Sequence, residues 1–198
     1  MQPTPTLVVE NLALARGDRT LFAGFSLTMA AGEVVHLTGR NGAGKTSLLE
    51  TIAGLRQPES GRLSVPPPEQ MHWIGHKNGL HPALSAGENL QFWCGLTGSD
   101  DGGIGAALDR LQLRAARYRP ARTLSTGQKR RTALARLLLS HRLWWLLDEP
   151  LAGLDVEGTT LFAELVAAHR AAGGAILLTS HQPLPPQCGL IRHVELRA

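Results

Sequence analysis

Gly39-Arg40-Asn41-Gly42-Ala43-Gly44-Lys45-Thr46-Ser47 can hold a nucleoside triphosphate. The spacing is G-x-x-x-x-G-K-[ST], a phosphate-binding loop. Gly39, Gly42 and Gly44 free the backbone to adopt angles a side chain forbids, so successive N–H groups can turn toward phosphate oxygens. A helix starting at Lys45 adds its positive end to the same spot. Lys45 can reach the β- and γ-phosphates, and the Thr46 hydroxyl can hold Mg²⁺. The bland alternative is a chance glycine loop. Against it, residues 34–37 before the loop are apolar apart from His36 and the segment after it is apolar-periodic, which makes strand, loop and helix.

A phosphate loop needs an acid as partner. Leu143-Trp144-Trp145-Leu146-Leu147 is a continuous apolar run, as a strand covered on both faces requires, and it ends in Asp148-Glu149-Pro150. Asp148 can hold Mg²⁺ through water, opposite Thr46. Glu149 can orient or deprotonate an attacking water. Residues 175–179 form one more buried-strand run, followed at once by Ser180-His181, and the His181 imidazole can hydrogen-bond a γ-phosphate as it leaves. Taken singly, an acidic pair at a strand end is often a helix cap, and a lone histidine is usually structural. Together with the loop they point to nucleotide hydrolysis.

The elements that must position these groups follow from pattern. Residues 7–12 and 25–29 read as strands, with turns at Gly17-Asp18 and Ala31-Gly32. Residues 33–37 feed the loop, 45–53 are helical up to Gly54, 61–65 are a strand stopped by Pro66-Pro67-Pro68, and 71–75 are a short buried strand. Ser85-Ala86-Gly87-Glu88 is a capping-box pattern opening a helix to about Leu96. Ile104, Ala107, Leu108 and Leu111 mark a second helix. Ser125-Thr126-Gly127-Gln128 is another capping box, opening a helix whose apolar stripe includes Leu134, Leu137 and Leu138. Asp155 caps a helix to about Ala172, and residues 193–197 close the chain as a strand. Alternating strands and helices imply an α/β fold with a mostly parallel sheet and ligand at the strands' carboxyl ends.

Composition narrows the class. With 198 residues, the chain suits one domain with a sizeable core, and a hydrophobic share of 43% is ordinary for a globular protein. No apolar run reaches the roughly 20 residues that a membrane-crossing helix needs. Residues 1–6 lack the build of a signal peptide, so a cytoplasmic chain is expected. Cys94 and Cys188 have no metal-like spacing and read as small buried residues. The net charge is +4, and ten of the 20 lysines and arginines fall from 110 to 142, where no Asp or Glu occurs. Such a block can face an anion, an acidic partner, lipid headgroups or nucleic acid, or can be a solvated face.

Leu124-Ser125-Thr126-Gly127-Gln128 resembles the LSGGQ signature of ABC ATPases, with Thr126 in place of the first glycine. Ala152-Gly153-Leu154-Asp155 resembles their D-loop, and His181 their switch histidine. Order and spacing agree from Leu7 onward. The resemblance implies a RecA-like P-loop core with a mainly parallel sheet, an N-terminal antiparallel β subdomain and an inserted helical subdomain. It implies one domain over 1–198, with 1–76 and 141–198 as core and 77–140 as the helical part. It further implies ATP as substrate with Mg²⁺, and a homodimer in which the Ser125 helix start of one copy meets the γ-phosphate held by the other. Asp155 would communicate across that interface.

Two positions depart from the family. His76 stands where ABC ATPases usually carry a glutamine that touches Mg²⁺ and the attacking water. Arg16 stands where an aromatic usually stacks on adenine; a guanidinium plane can stack too, or Arg16 can simply solvate a turn. Trp73-Ile74-Gly75-His76, His181-Gln182-Pro183-Leu184 and a short C-terminal stretch resemble the ATP-binding subunits of haem-exporting ABC systems in cytochrome c maturation. That implies integral membrane partners such as CcmB, a peripheral place on the cytoplasmic face of the bacterial inner membrane, and hydrolysis tied to release of a haem-loaded chaperone. His72, His76 and His81 can be read as haem or metal ligands, though their loop spacing argues for little. Phe92 and Trp93 lie near the groove expected for a membrane subunit, but core packing of the helical part is the preferred reading. Three alternatives stay open: the motor of another small exporter, a nucleic-acid-binding regulator using the basic block through Arg130 and Arg131, and a phosphoryl-transferring P-loop kinase. No nucleic-acid partner is expected, since the block lacks interleaved aromatics apart from Tyr118.

Overall fold

In the computed structural model, which describes residues 6–197, β1 (Thr6–Arg16) and β2 (Arg19–Ala30) pair antiparallel around the Gly17-Asp18 turn. The stretch read for a signal peptide lies outside the described residues, Thr6 excepted. Both strands run well beyond the expected 7–12 and 25–29. The two-residue turn keeps them paired as far as Arg16 and Arg19, and register shifts after Val9 absorb the polar Asn11. β3 (Val34–Thr38) leads through the glycine loop into α1 (Lys45–Ile52). β4 (Ser60–Ser64) returns to pair with β1, giving a three-stranded sheet in the order β2-β1-β4. Here a glycine is required: Gly61 has φ +100°, and a Cβ on it would stand 2.7 Å from the Asn11 carbonyl oxygen.

β5 (Met71–Ile74) precedes the helical segment of α2 (Ala86–Thr97), α3 (Ile104–Arg110) and α4 (Thr126–Leu134). β6 (Trp144–Leu147), α5 (Val156–Ala171), β7 (Ala175–Thr179) and β8 (Arg192–Glu195) complete the chain. The second sheet has the order β5-β6-β7-β3-β8, and every pairing in it is parallel. Alternate residues of its strands feed two cores. Trp144 and Leu146 of β6 join Leu14, Phe22 and Leu48 on the face toward the antiparallel sheet and α1. Trp145 and Leu147 join Leu90, Leu108, Leu134 and Phe162 on the face toward α2–α5.

Three expectations are corrected. α4 stops at Leu134 and tightens into a 3₁₀ turn, Ala135–Leu138, which rotates Leu138 out to 39% exposure. Phe92 is not core: α2 buries Ala86, Leu90 and Cys94 at four-residue spacing, which leaves Phe92 on the opposite face, 67% exposed. The basic block is not a single solvated face. Arg130 and Arg131 are buried, and Arg131, Arg136 and Arg142 donate to the carbonyls of Leu111, Gly79 and Met71. Only its first arginines, Arg110 to Arg122, face outward. No described helix is long and apolar enough to cross a membrane.

Candidate functional site

The phosphate loop leaves β3 at the carboxyl edge of the parallel sheet, between β7 and β8. Gly39 packs so tightly that a Cβ would stand 2.6 Å from the Leu196 carbonyl oxygen. Gly44 precedes α1 at φ +102°, and no side chain caps that helix start. Its first N–H groups therefore face the loop, where an anion's oxygens can accept from them. Lys45, 9% exposed, arches back and donates to the carbonyls of Gly39 at 2.8 Å and Arg40 at 3.2 Å. Its ammonium is thus held over the loop.

β6 delivers the acids. Asp148 is 1% exposed; one carboxylate oxygen accepts from Thr46 Oγ1 at 2.9 Å, the other from Thr179 Oγ1 at 2.8 Å. The same Thr179 hydroxyl accepts from the Glu149 N–H at 2.9 Å. Thr179 therefore joins both acids, a role the sequence reading missed. The available signal was a hydroxyl ending an otherwise apolar strand, next to Ser180-His181. Glu149 sits at φ +50°, a left-handed backbone that disfavours a side chain by about 1–2 kcal/mol and persists only where its surroundings over-determine it. Its carboxylate accepts from the His181 N–H at 3.1 Å and lies 3.5 Å from His181 Nε2. A hydroxyl and a buried carboxylate in mutual reach form a hard oxygen donor set, so Thr46 and Asp148 fit Mg²⁺.

Two buried cross-braces support these strand ends. Arg130, 2% exposed, donates to the carbonyls of Gly75, Asp148 and Pro150 and to Asn78 Oδ1. Burial pulls its guanidinium down to about 10, with Asp148 and Glu149 holding it up, so it is a cation at neutral pH. It occupies the same helix face as Leu134, and an arginine in an apolar stripe was the signal for it. His36 Nε2–H donates to the Ser180 carbonyl at 3.0 Å, and burial holds this imidazole below its usual range. Neutral His36 thereby anchors the turn that carries His181.

A cleft of about 330 Å³ is lined by Arg16, Asn41, Gly42, Gly44, Lys45, Thr46, Ser47, His76, Asp148, Glu149 and His181. The structure thus brings the two departing residues, Arg16 and His76, to the same opening as the loop and the acids. Arg40 is exposed beside it, and Ala43 is buried against the Phe22 core. The signature does not reach this cleft. Ser125 accepts from the Gln128 N–H at 3.1 Å, while Gln128 Oε1 accepts from the Ser125 N–H at 3.1 Å, so the expected capping box forms. Ser125 itself is exposed, and Leu124 beneath it is buried. The D-loop turn packs directly on this helix start: a Cβ on Gly153 would stand 2.6 Å from Thr126 Cγ2. Asp155 caps α5 by accepting from the Gly158 N–H at 2.8 Å. His72 is buried, drawn down to about 4 by burial, and bonded to the Ser140 carbonyl. It is thus separated in environment from His76 and the exposed His81.

An imidazole can pair a ring acceptor with an N–H donor, and a glutamine amide likewise carries both kinds of group. His76→Gln is expected to keep ATP turnover within about threefold of the parent in a phosphate-release assay, and a loss of roughly tenfold or more would assign His76 a different task.

The family model described as ABC transporter matches residues 22–152. Over 175 residues the chain is 47% identical to the cytochrome c biogenesis ATP-binding export protein CcmA of Rhodobacter capsulatus, covering 88% of this chain and 80% of that one. It is 44% identical over 206 residues to the protein of the same name from Brucella melitensis, covering 97% and 96%. The fold matches a solved ABC transporter ATP-binding protein from Pyrococcus furiosus with a TM-score of 0.82 at 23% identity, over 96% of this chain and 97% of that one. The chain therefore belongs to the ABC transporter ATPases, as an ATP-binding and ATP-hydrolysing subunit similar to CcmA.

Proposed function

We propose that this chain is the ATP-driven motor of a haem exporter in cytochrome c biogenesis, working as a head-to-tail homodimer. The observation that carries the dimer is a division of the chemistry. The phosphate loop, Asp148, Glu149 and His181 share one cleft, whereas the serine-capped start of α4 stands outside it, exposed. A second copy can bring that helix start to the γ-phosphate, where its N–H groups and the Ser125 hydroxyl complete the anion site. Support for haem export comes from relatives named for cytochrome c biogenesis export.

Within each site, Glu149 takes a proton from the attacking water and His181 donates a hydrogen bond to the phosphoryl group as it departs. Lys45 and the loop N–H groups hold the β- and γ-phosphates. Thr46, and Asp148 through water, would hold Mg²⁺, which neutralises charge on the phosphate oxygens. Arg16 lays its guanidinium plane on the base. Asp155 follows the opposing copy across the interface. On α2, exposed Phe92 and Leu96 form the surface offered to integral membrane subunits of the CcmB type, which would hold the motor peripherally at the cytoplasmic face of the inner membrane. Hydrolysis then reopens the dimer, and in this reading that opening releases the haem-loaded chaperone.

Extraction of native membranes in mild detergent, with the tagged chain as bait, tests this. Cytochrome c maturation membrane proteins should copurify, and the membrane subunits of an unrelated exporter would overturn the haem assignment. Ser125→Glu places a carboxylate against the γ-phosphate and is expected to lower turnover by roughly 100-fold while nucleotide affinity changes little. Parental turnover in that variant would overturn the head-to-tail arrangement.

A further inference from the structure

Arg130 joins three parts of the chain that hydrolysis must keep in step. It lies on α4, five residues after Ser125. Its Nη1 donates to the Gly75 carbonyl at 2.9 Å and to Asn78 Oδ1 at 3.1 Å, so a single nitrogen grips both sides of His76. Its Nη2 donates to the Asp148 carbonyl at 2.7 Å and its Nε to the Pro150 carbonyl at 3.2 Å, so the other two grip both sides of Glu149. The guanidinium is flat and rigid, so one group sets the separation of the two turns. At 2% exposure, no solvent is at hand to replace these bonds.

The Glu149 backbone needs such support. Its φ of +50° holds only under constraint, and the constraints come from two directions. Thr179 binds the Glu149 N–H from β7, and Arg130 binds the flanking carbonyls from α4. The first brace is internal to the parallel sheet. The second belongs to the helical segment, whose leading end carries Ser125.

We propose that Arg130 is a positioning residue for ATP hydrolysis, fixing the Glu149 and His76 turns at a set spacing and tying both to the helix that begins at Ser125. A displacement of α4 is thereby passed to the base and to the opposite wall of the cleft through one side chain. This rests on the reading of Glu149 as the general base.

The test uses the full-length chain, with Arg130→Lys, Asn78→Ala and Glu149→Gln compared with the parent. Thermal melting, Mg-ATP affinity and turnover at saturating ATP are read for each. Lysine keeps the buried charge but not the fork, so Arg130→Lys is expected to lower kcat by about 10- to 30-fold with affinity within about threefold, while the buried bonds it cannot remake lower the melting temperature of a still cooperative transition. Asn78→Ala removes one of the four acceptors and should lower kcat by about two- to fivefold, again without a change in affinity. Affinity falling in step with melting and turnover would make Arg130 a purely structural brace and overturn the proposal, as would parental kcat in Arg130→Lys. Should Arg130→Lys fail to fold, parental kcat in Asn78→Ala overturns it. Glu149→Gln separates the two layers. If it abolishes turnover while Arg130→Lys does not, only the positioning role is lost; if it leaves turnover intact, the reading of the base falls first.

Discussion

Glu149→Gln is expected to lower ATP turnover by at least about 100-fold while ATP still binds. The substitution preserves shape and keeps an oxygen that can accept from the His181 N–H, now bonded to the Glu149 carboxylate at 3.1 Å. It removes the capacity to take a proton from water, which is the role proposed for Glu149. The left-handed backbone at this residue is held by Thr179 and Arg130 through main-chain atoms, so the turn does not depend on the carboxylate. Chemistry should therefore fail before binding does. The check has two parts: single-turnover phosphate release, and sedimentation with Mg-ATP. With cleavage stalled, a nucleotide-clamped pair of chains should accumulate. Parental turnover would remove Glu149 from the reaction.

Lys45→Ala should reduce ATP affinity, turnover or both by about 100-fold, the scale on which a preorganised charge contact acts on a phosphoryl group. The folded chain should tolerate the change. The ammonium donates to the Gly39 and Arg40 carbonyls, on a loop where Arg40 is exposed, and water can take its place there. Calorimetric titration with Mg-ATP separates the cases. A melting temperature close to the parent's with affinity lost supports a phosphate contact, whereas an early-melting protein that still binds ATP makes Lys45 a loop brace.

Much of the site was legible because its signals are local. Glycines, a lysine and a threonine at fixed spacing specify a loop, and an apolar run ending in Asp148-Glu149 specifies a strand end, without reference to distant residues. The capping box at Ser125 was legible for the same reason: its partners lie three residues apart. Thr179 and Arg130 were not. Each acts on groups 18 to 55 residues away in the chain, and only the parallel strand order brings these within reach. Leu138 and Phe92 show a second limit. A stripe drawn at 3.6 residues per turn misplaces Leu138 once the helix tightens, and α2 has a solvent face that residue type alone does not mark. The antiparallel strands extend past 7–12 and 25–29 because the Gly17-Asp18 turn pairs Arg16 with Arg19 and Ala15 with Thr20, a pairing that polar and small residues do not mark when the partner is unknown.

The Ser125 hydroxyl has one hydrogen to give and two lone pairs to share. One lone pair is engaged by the backbone of its own helix, which leaves the hydrogen free for another acceptor. The atom that fastens the first turn is thus also an atom with a proton to offer an oxyanion, by rotation about its C–O bond alone. Alanine there would unfasten the turn and withdraw the proton together; aspartate would keep the fastening and turn the offer into repulsion. Comparing those two replacements would separate how firmly this helix begins from how well it greets a phosphate.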